Sequence, residues 1–239
     1  MSTKLPALLL AALLFVLPAC DKREDKKETA PDNPPATPPK AGAEKPGKAA
    51  ADEPPWISLF DGKTLKNWKQ SGFAGEAKAR VEDGCILLPP GATLTGITYT
   101  GKDLPTMNYE IELEAKRVDG SDFFCGLTFP VDKSSATLVL GGWGGSLVGI
   151  SSLDGNDAAN NETTKMVTFE DKRWYHIRVC ILKEKLEAWI DDDKVVDADT
   201  KDRKIDVRID IEECKPCGLA TYQTLGAIRN IRARKLWKE

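Results

Sequence analysis

The sequence has only one histidine, His176, among its 239 residues. HExxH zinc sites, C2H2 fingers and iron sites built from two histidines and one carboxylate need at least two imidazoles, so all three are excluded. A basic excess is also missing, because 34 Lys and Arg residues stand against 37 Asp and Glu. This balance argues against a nucleic-acid partner and provides no polybasic membrane patch. Any catalysis therefore depends on carboxylates, amides, Lys or Arg side chains, or a metal held by oxygen ligands.

No apolar run is as long as the roughly 20 residues that a membrane-spanning helix needs. The longest follows Lys4 and has the shape of the apolar region of a secretory signal. Residues 17–20 read LPAC, which resembles a bacterial lipobox whose cysteine is lipidated and becomes the first residue of the mature chain. Cleavage by an ordinary signal peptidase, with loss of Cys20, is the alternative. We predict a lipoprotein signal peptide over residues 1–20 and an exported cell-envelope protein, facing the periplasm or the outer surface, anchored to the membrane through Cys20.

Residues 21–55 contain no aromatic residue and no Val, Ile or Leu. Such a segment cannot bury enough apolar area to offset the entropy lost on ordering. Its three proline doublets favour the extended polyproline II conformation. We therefore predict a disordered tether over 21–55 that lifts a folded domain off a membrane surface. About 185 residues remain, enough for one domain that needs no disulfide or metal to hold its core.

Apolar and polar residues alternate with period two through much of residues 56–239. The alternation is clearest at 109–116 and 175–181, and two further runs flank the sequence DDDK at 191–194. Such runs, bounded by Gly, Asp and Asn at short spacing, are typical of half-buried strands. No stretch of about twelve residues shows helical periodicity. The pattern predicts an all-β domain, a jelly-roll sandwich of two antiparallel sheets.

Six segments of this domain carry a resemblance to a known family. They are WISLFDGKTLKNW at 56–68, VEDGCI at 81–86, NYEIELE at 108–114, WYHIRV at 174–179, the 191–194 hairpin, and IRNIR at 228–232. Together they resemble the 3-keto-disaccharide hydrolase domain family, formerly a domain of unknown function, whose opening pattern is Leu-Phe-Asn-Gly-Lys-x-Leu-x-x-Trp. The resemblance covers residues 56–236. It implies a concanavalin A-like lectin/glucanase sandwich with its site on the concave face of one sheet.

The middle of the domain departs from that family's pattern. Typical members carry an Asn-Ser-Gly-hydrophobic-x-x-Arg strand followed by a Tyr-Glu-x-Gln-hydrophobic-x-Asp strand. This chain instead reads SDFFCGL at 121–127 and LGGWGG at 140–145. The acidic and amide positions of the second strand have no counterpart here, so no catalytic residue is carried over from it.

Glu110, Glu112 and Glu114 lie on one face of a predicted strand, about 6.7 Å apart for successive pairs. A solvated acidic face opposite a buried apolar row is one interpretation. The other is that one of these carboxylates acts as the base toward a 3-keto sugar, because the keto group acidifies the hydrogen at C2. A cation or a metal would then stabilise the enolate oxygen.

Trp143 is flanked by four glycines, which allow a backbone to approach a ligand closely. An exposed indole at this position would offer a platform for the apolar face of a sugar. A core tryptophan at a strand end, followed by glycine turns, is the alternative.

Residues 151–162 form a long polar stretch, SSLDGNDAANNE. Its Asp154, Asn156, Asp157 and Glu162 can supply oxygen ligands to calcium or another divalent metal. The spacing is not that of an EF-hand, and turn chemistry explains the same residues. A metal in this loop is therefore an option rather than a requirement.

Two functions fit these features. The first is an exported, membrane-tethered hydrolase or lyase of the 3-keto-disaccharide type that cleaves a 3-keto glycosidic bond. The second is a non-catalytic carbohydrate-binding or adhesive module with the same fold. In both, the partner is a carbohydrate or glycoside, no cofactor is required, and the oligomeric state is left open. The candidate site residues are Glu110, Glu112 and Asp154 as catalytic groups, and Trp143, Asn156 and Asp157 as substrate-binding groups.

Overall fold

The computed structural model describes residues 54–102 and 104–236, which form two antiparallel β-sheets. The strands of the first, sheet A, are β1 (Ile57–Ser58), β3 (Arg80–Glu82), β4 (Cys85–Leu88), β6 (Tyr109–Asp119), β11 (Tyr175–Leu182), β12 (Lys185–Ile190), β13 (Asp193–Asp199) and β15 (Leu225–Lys235). Their order across the sheet is β13-β12-β11-β6-β15-β4-β3, and β1 pairs with β15. The longest strands, β6 and β15, therefore lie side by side in the middle of sheet A.

The second sheet, sheet B, lies against the first. Its strands are β2 (Trp68–Gln70), β5 (Leu94–Tyr99), β7 (Cys125–Val131), β8 (Ser134–Gly141), β9 (Leu147–Ser151), β10 (Lys165–Met166) and β14 (Gly218–Tyr222). Their order is β10-β9-β8-β7-β14-β5-β2. The glycine-rich turn Gly142–Gly145 and the 3-10 helix Ile209–Cys214 lie in the connections between strands.

The core lies between the two sheets and follows from the period-two pattern of the strands. On β6, Ile111 and Leu113 point inward, and on β7, Leu127 and Phe129 meet them from sheet B within one hydrophobic cluster. Because successive side chains of a strand alternate between faces, the residues between them point away from the core. The predicted all-β sandwich of two antiparallel sheets is confirmed.

The predicted signal peptide and residues 21–53 of the predicted tether lie outside the described residues. Within the part of the chain that the structure describes, no helix is long and apolar enough to cross a membrane.

The opening segment of the domain is fixed by three contacts. The indole of Trp68 donates a hydrogen bond to the Leu59 carbonyl at 2.8 Å, and its ring meets Tyr99 edge-on at 5.1 Å between centroids. The turn between Leu59 and Trp68 depends on Asp61. Its carboxylate accepts hydrogen bonds from the backbone N–H groups of Thr64 and Lys63 and from the Thr64 hydroxyl. Local side-chain to backbone bonds of this kind are characteristic of turns.

These hydrogen bonds predict an unusually acidic Asp61. The N–H groups of Thr64 and Lys63 stabilise the ionised form and lower the pKa of Asp61 from 3.8 to about 2. A depressed pKa means that the bonds stabilise the fold above pH 3.8, and that this contribution is lost as the pH falls through about 2. An NMR titration of the Asp61 carboxyl carbon should give a midpoint near 2. A midpoint at 3.8 in the folded protein would contradict the turn geometry.

Candidate functional site

A cleft of about 300 Å³ opens on the outer face of sheet B. Its floor is formed by outward-facing side chains of five adjacent strands, β5, β14, β7, β8 and β9. Its walls come from three connections: the loop before β7, the glycine-rich segment after β8, and the 3-10 helix Ile209–Cys214. The volume is at the lower end of the range for small-molecule sites in proteins.

The floor of the cleft is uncharged. Gly126 and Val139 face it from β7 and β8. Beside Val139, the Thr137 hydroxyl lies 2.8 Å from the Thr128 hydroxyl. Ser151 of β9 also lines the cleft, and its buried Oγ has no hydrogen-bond partner among the described residues.

Trp143 stands at the edge of the cleft on a glycine turn, residues 141–145. Its backbone is left-handed, with φ of +49°, and Gly141, Gly144 and Gly145 also have positive φ values of +76°, +88° and +108°. Glycine adopts these angles without the steric cost that a side chain brings. The turn leaves the Trp143 side chain 47% exposed and outside the hydrophobic clusters. The result is an indole that faces both solvent and cleft.

Asp122 lines the cleft and is bonded to the glycine turn. One oxygen of its carboxylate accepts the backbone N–H of Phe123 at 2.7 Å, and the other accepts the N–H of Gly144 at 3.0 Å. Its own N–H donates to the Thr224 hydroxyl at 3.1 Å. Both carboxylate oxygens therefore help to hold the backbone that forms the wall of the cleft.

Arg208 forms the facing wall. Its guanidinium carbon lies 5.8 Å from the centre of the Trp143 ring, a cation–π distance. The same group donates to Asp157 at 2.9 Å and to Asp210 at 3.1 and 3.2 Å. Next to it, Ile209 is 90% exposed. Asp157, a predicted substrate-binding residue, is thus linked to the cleft through Arg208.

Asp154 and Asn156 lie on the loop beyond this wall and do not line the cleft. The backbone N–H of Lys204 and the Arg203 guanidinium bind the Asp154 carboxylate and lower its pKa. Arg203 also binds Glu162. The four oxygen donors predicted for a metal are thus divided, because Asp157 pairs with Arg208 instead. Within residues 54–102 and 104–236, no group of three or more His, Cys, Asp and Glu is arranged to hold a metal ion.

Glu110 and Glu112 lie on the outer face of sheet A, on the other side of the sandwich from the cleft. Glu110 is 2% exposed and is paired with Arg234 and with Arg178, the latter at 3.4 Å. Glu112 binds Arg232 at 2.7 Å. Both carboxylates are therefore members of an ion-pair network that spans β11, β6 and β15.

A second cavity of about 410 Å³ borders this network. Trp56, Glu112 and Glu114 line it together with His176, whose Nε2 lies 3.5 Å from Glu112. Burial opposes ionisation of Glu114, but hydrogen bonds from Arg229 outweigh it and lower the Glu114 pKa. Each of the two carboxylates on this cavity is therefore paired with an arginine, Glu112 with Arg232 and Glu114 with Arg229.

The structure brings together some of the sequence-predicted residues and separates others. Trp143 and Asp157 meet around Arg208, whereas Glu110 and Glu112 lie on the opposite face of the molecule and Asp154 turns to Arg203. Sequence reasoning missed several lining residues, because they come from segments that are far apart in the chain and share no local pattern. Those residues are Asp122, Thr137, Ser151, Arg208 and Tyr222.

Three of the many solved structures with a similar fold are the following. A candidate glycosyl hydrolase from Parabacteroides distasonis has a TM-score of 0.50 and 16% identity, over 80% of this chain and 97% of that one. The transglycosylase Crh5 has a TM-score of 0.53 and 11% identity, over 77% and 85%. The carbohydrate recognition domain of Emp46p has a TM-score of 0.50 and 13% identity, over 76% and 96%. At such low identities the likeness concerns the fold alone.

No curated protein sequence matches the chain. The profile of one family, the 3-keto-alpha-glucoside-1,2-lyase-like domain, matches residues 55–234, which is well over half of the chain. The match includes both sheets and every strand that forms the floor of the cleft. The chain therefore belongs to the 3-keto-alpha-glucoside-1,2-lyase-like domain family.

Proposed function

We propose that this protein binds a carbohydrate in the cleft on sheet B. The observation that carries the proposal is the half-exposed indole of Trp143, which is presented at the edge of the cleft by a turn of left-handed residues. Aromatic faces pack well on the C–H face of a sugar, and a cleft of about 300 Å³ has room for a sugar unit. Family membership and the sandwich fold support a glycan-active or carbohydrate-binding role.

Binding is favoured over chemistry by the state of the cleft's carboxylates. A general base must reach the proton that it removes. Asp122 uses both oxygens to accept backbone N–H groups, and Asp210 is bonded to Arg208 through both of its oxygens. Strand β8 presents only the uncharged side chains of Thr137 and Val139 to the cleft.

Cleavage of a 3-keto glycosidic bond is the second candidate function, and family membership favours it. In that reaction, a carboxylate takes the proton from C2 and a cation stabilises the resulting enolate oxygen. The C1–O bond then breaks as a C1=C2 double bond forms, and the departing aglycone oxygen takes up a proton from water. Within the cleft, Asp122 is the carboxylate that is hydrogen-bonded to the turn carrying Trp143, and it is the candidate base. Arg208 is the candidate cation. Each Asp122 oxygen accepts one backbone N–H and keeps a second lone pair, which can take the C2 proton.

Calorimetry with a panel of neutral oligosaccharides, 3-keto-trehalose and 3-keto-glucosides, followed by analysis of products, tests both functions. Binding predicts saturable heat from at least one sugar and no product after prolonged incubation. Release of an aglycone that depends on Asp122 would instead establish catalysis. A protein that neither binds nor cleaves any of these sugars would contradict both proposals.

We also propose that the domain is exported and anchored at the cell envelope through a lipidated Cys20. The LPAC sequence at 17–20 supports this, although these residues lie outside the described part of the chain. Because the cysteine carries the acyl chains, Cys20→Ser should move the protein from the membrane fraction to the soluble fraction. Labelled palmitate should attach to the wild type and not to the variant. Absence of label from the wild type would contradict lipidation.

A further inference from the structure

A buried arginine stands in a core-facing position of sheet A. Along β6 the inward residues are Ile111, Leu113 and Ala115, and the next position in this series is Arg117. Arg117 is 8% exposed. Placing a guanidinium where the alternation calls for an apolar side chain is costly unless each donor finds a partner. The partners of the guanidinium therefore decide whether its burial is tolerated.

Arg117 reaches across to the glycine turn that carries Trp143. Its Nη1 donates to the carbonyl of Gly145 at 3.2 Å, and its Nη2 donates to the carbonyl of Phe169 at 3.0 Å. Its Nε pairs with Asp171 at 2.7 Å. A planar guanidinium can make these bonds in three directions at once, which the single ammonium of lysine cannot reproduce.

The turn depends on such bonds because its backbone is strained. Trp143 is a bulky residue at φ +49°, a conformation that costs free energy and persists only where the surroundings enforce it. Two long-range bonds hold the turn immediately after this residue: Asp122 accepts the N–H of Gly144, and Arg117 donates to the carbonyl of Gly145. One anchor comes from the cleft wall and the other comes from the opposite sheet.

We propose that Arg117 is a positioning residue for the carbohydrate site: by holding the Gly145 carbonyl, it fixes the Trp143 indole at the edge of the cleft. Arg117 does not itself line the cleft. This inference rests on the proposed carbohydrate binding. It adds a determinant of affinity in sheet A, on β6, to a site built on sheet B.

A double-mutant cycle between Arg117 and Trp143 tests the proposal. Arg117→Lys keeps the charge and the pairing with Asp171 but cannot hold both carbonyls. It should weaken glycan binding about tenfold in the wild-type background, the scale of a displaced contact group. In the Trp143→Ala background the same substitution should change affinity less than about twofold, because no indole remains to be misplaced. An equal loss in both backgrounds, or no loss in either, would overturn the proposal.

A pair of glycine variants probes the same bond from the other side. A Cβ on Gly145 would lie 3.0 Å from Arg117 Nη1 and 2.8 Å from the Ser121 carbonyl oxygen, whereas a Cβ on Gly144 meets nothing within 4 Å. Both glycines have positive φ, so alanine is strained at each. Gly145→Ala should therefore reproduce the Arg117→Lys loss of binding, and Gly144→Ala should lose less. Equal losses would count against the Arg117 contact, and this pair keeps the proposal open to contradiction if Arg117→Lys does not fold.

The indole N–H signal of Trp143 in NMR spectra, assigned through the Trp143→Ala variant, provides a readout that needs no ligand. Arg117→Lys should shift this signal and leave the indole signals of Trp56 and Trp189, on sheet A, in place. If the wild type binds no sugar but the shift appears, the proposed function fails while the positioning role stands. If sugar binds and neither the shift nor the affinity changes, the positioning role is wrong.

Discussion

Replacing Glu110 by alanine is expected to lower the free energy of unfolding by about 3 kcal/mol. Glu110 is 2% exposed, and its carboxylate pairs with Arg234 and Arg178 and accepts a hydrogen bond from the Cys180 thiol. Removing one member of a buried ion pair leaves the partner charges without the compensation that made their burial tolerable. Both arginines retain some access to water, which keeps the loss at the lower end of the range for buried pairs.

Urea titrations of Glu110→Ala and of Glu82→Ala, measured side by side, check this expectation. Glu82 pairs with Arg80 at 3.1 Å on the surface, with about half of each side chain exposed. Its loss should cost less than about 1 kcal/mol. Equal costs for the two variants would show that the network on sheet A contributes little. A Glu110→Ala variant that stays fully stable but loses turnover of a 3-keto glycoside would instead assign Glu110 to catalysis.

The strands could be predicted from the sequence because burial between two sheets imposes period two. The run at 109–116 became β6, and the run at 175–181 became β11. In the last strand, β15, period two alone does not predict which residues are buried. Ile228 and Ile231 are three residues apart, yet both are buried, because the register shifts between Arg229 and Arg232 and Asn230 takes a φ of +54°. A bulge of this kind restores the inward face after an extra residue.

The environment of the glutamates could not be predicted in the same way. Alternation places them on the outward face, but it does not say what covers that face. The register between β6 and β15 determines which side chains cover the glutamates. Arg234 lies opposite Glu110, and Arg232 lies opposite Glu112, on a strand more than 100 residues further along the chain. Cross-strand pairing between distant segments decides whether such carboxylates are solvated or buried.

The residues that line the cleft could also be predicted only in part. Trp143 stood out in the sequence because its glycine neighbours are a local signal. Its partners carry no such signal: Asp122 is one acidic residue among many, and Arg208 enters the cleft from a connection 65 residues after Trp143. Residues on loops are brought together only by the scaffold that carries them. A single sequence therefore identifies the platform better than the pocket around it.

Replacing Trp143 by alanine is expected to weaken carbohydrate binding by about 1–3 kcal/mol and to leave the free energy of unfolding within about 1 kcal/mol of the wild type. The indole is 47% exposed and belongs to none of the hydrophobic clusters, so its removal opens no core cavity. A buried tryptophan would behave differently, because truncation in a core costs about 3–5 kcal/mol. Calorimetry with the best-bound sugar and urea titration of the same preparations measure the two effects separately.

Trp174→Ala is the matched control for this experiment. Trp174 lies on the outer face of sheet A, half-buried between Lys116 and Arg229, whose charged groups lie 4.5 and 4.0 Å from its ring centre. Like Trp143, Trp174 is an indole beside a cation, but it does not line the cleft. Its loss should therefore lower stability and leave sugar affinity unchanged. Equal losses of affinity in the two variants would mean that binding reports general folding rather than stacking on Trp143. A fall of several kcal/mol in the stability of Trp143→Ala, with sugar affinity unchanged, would remove this residue from the site.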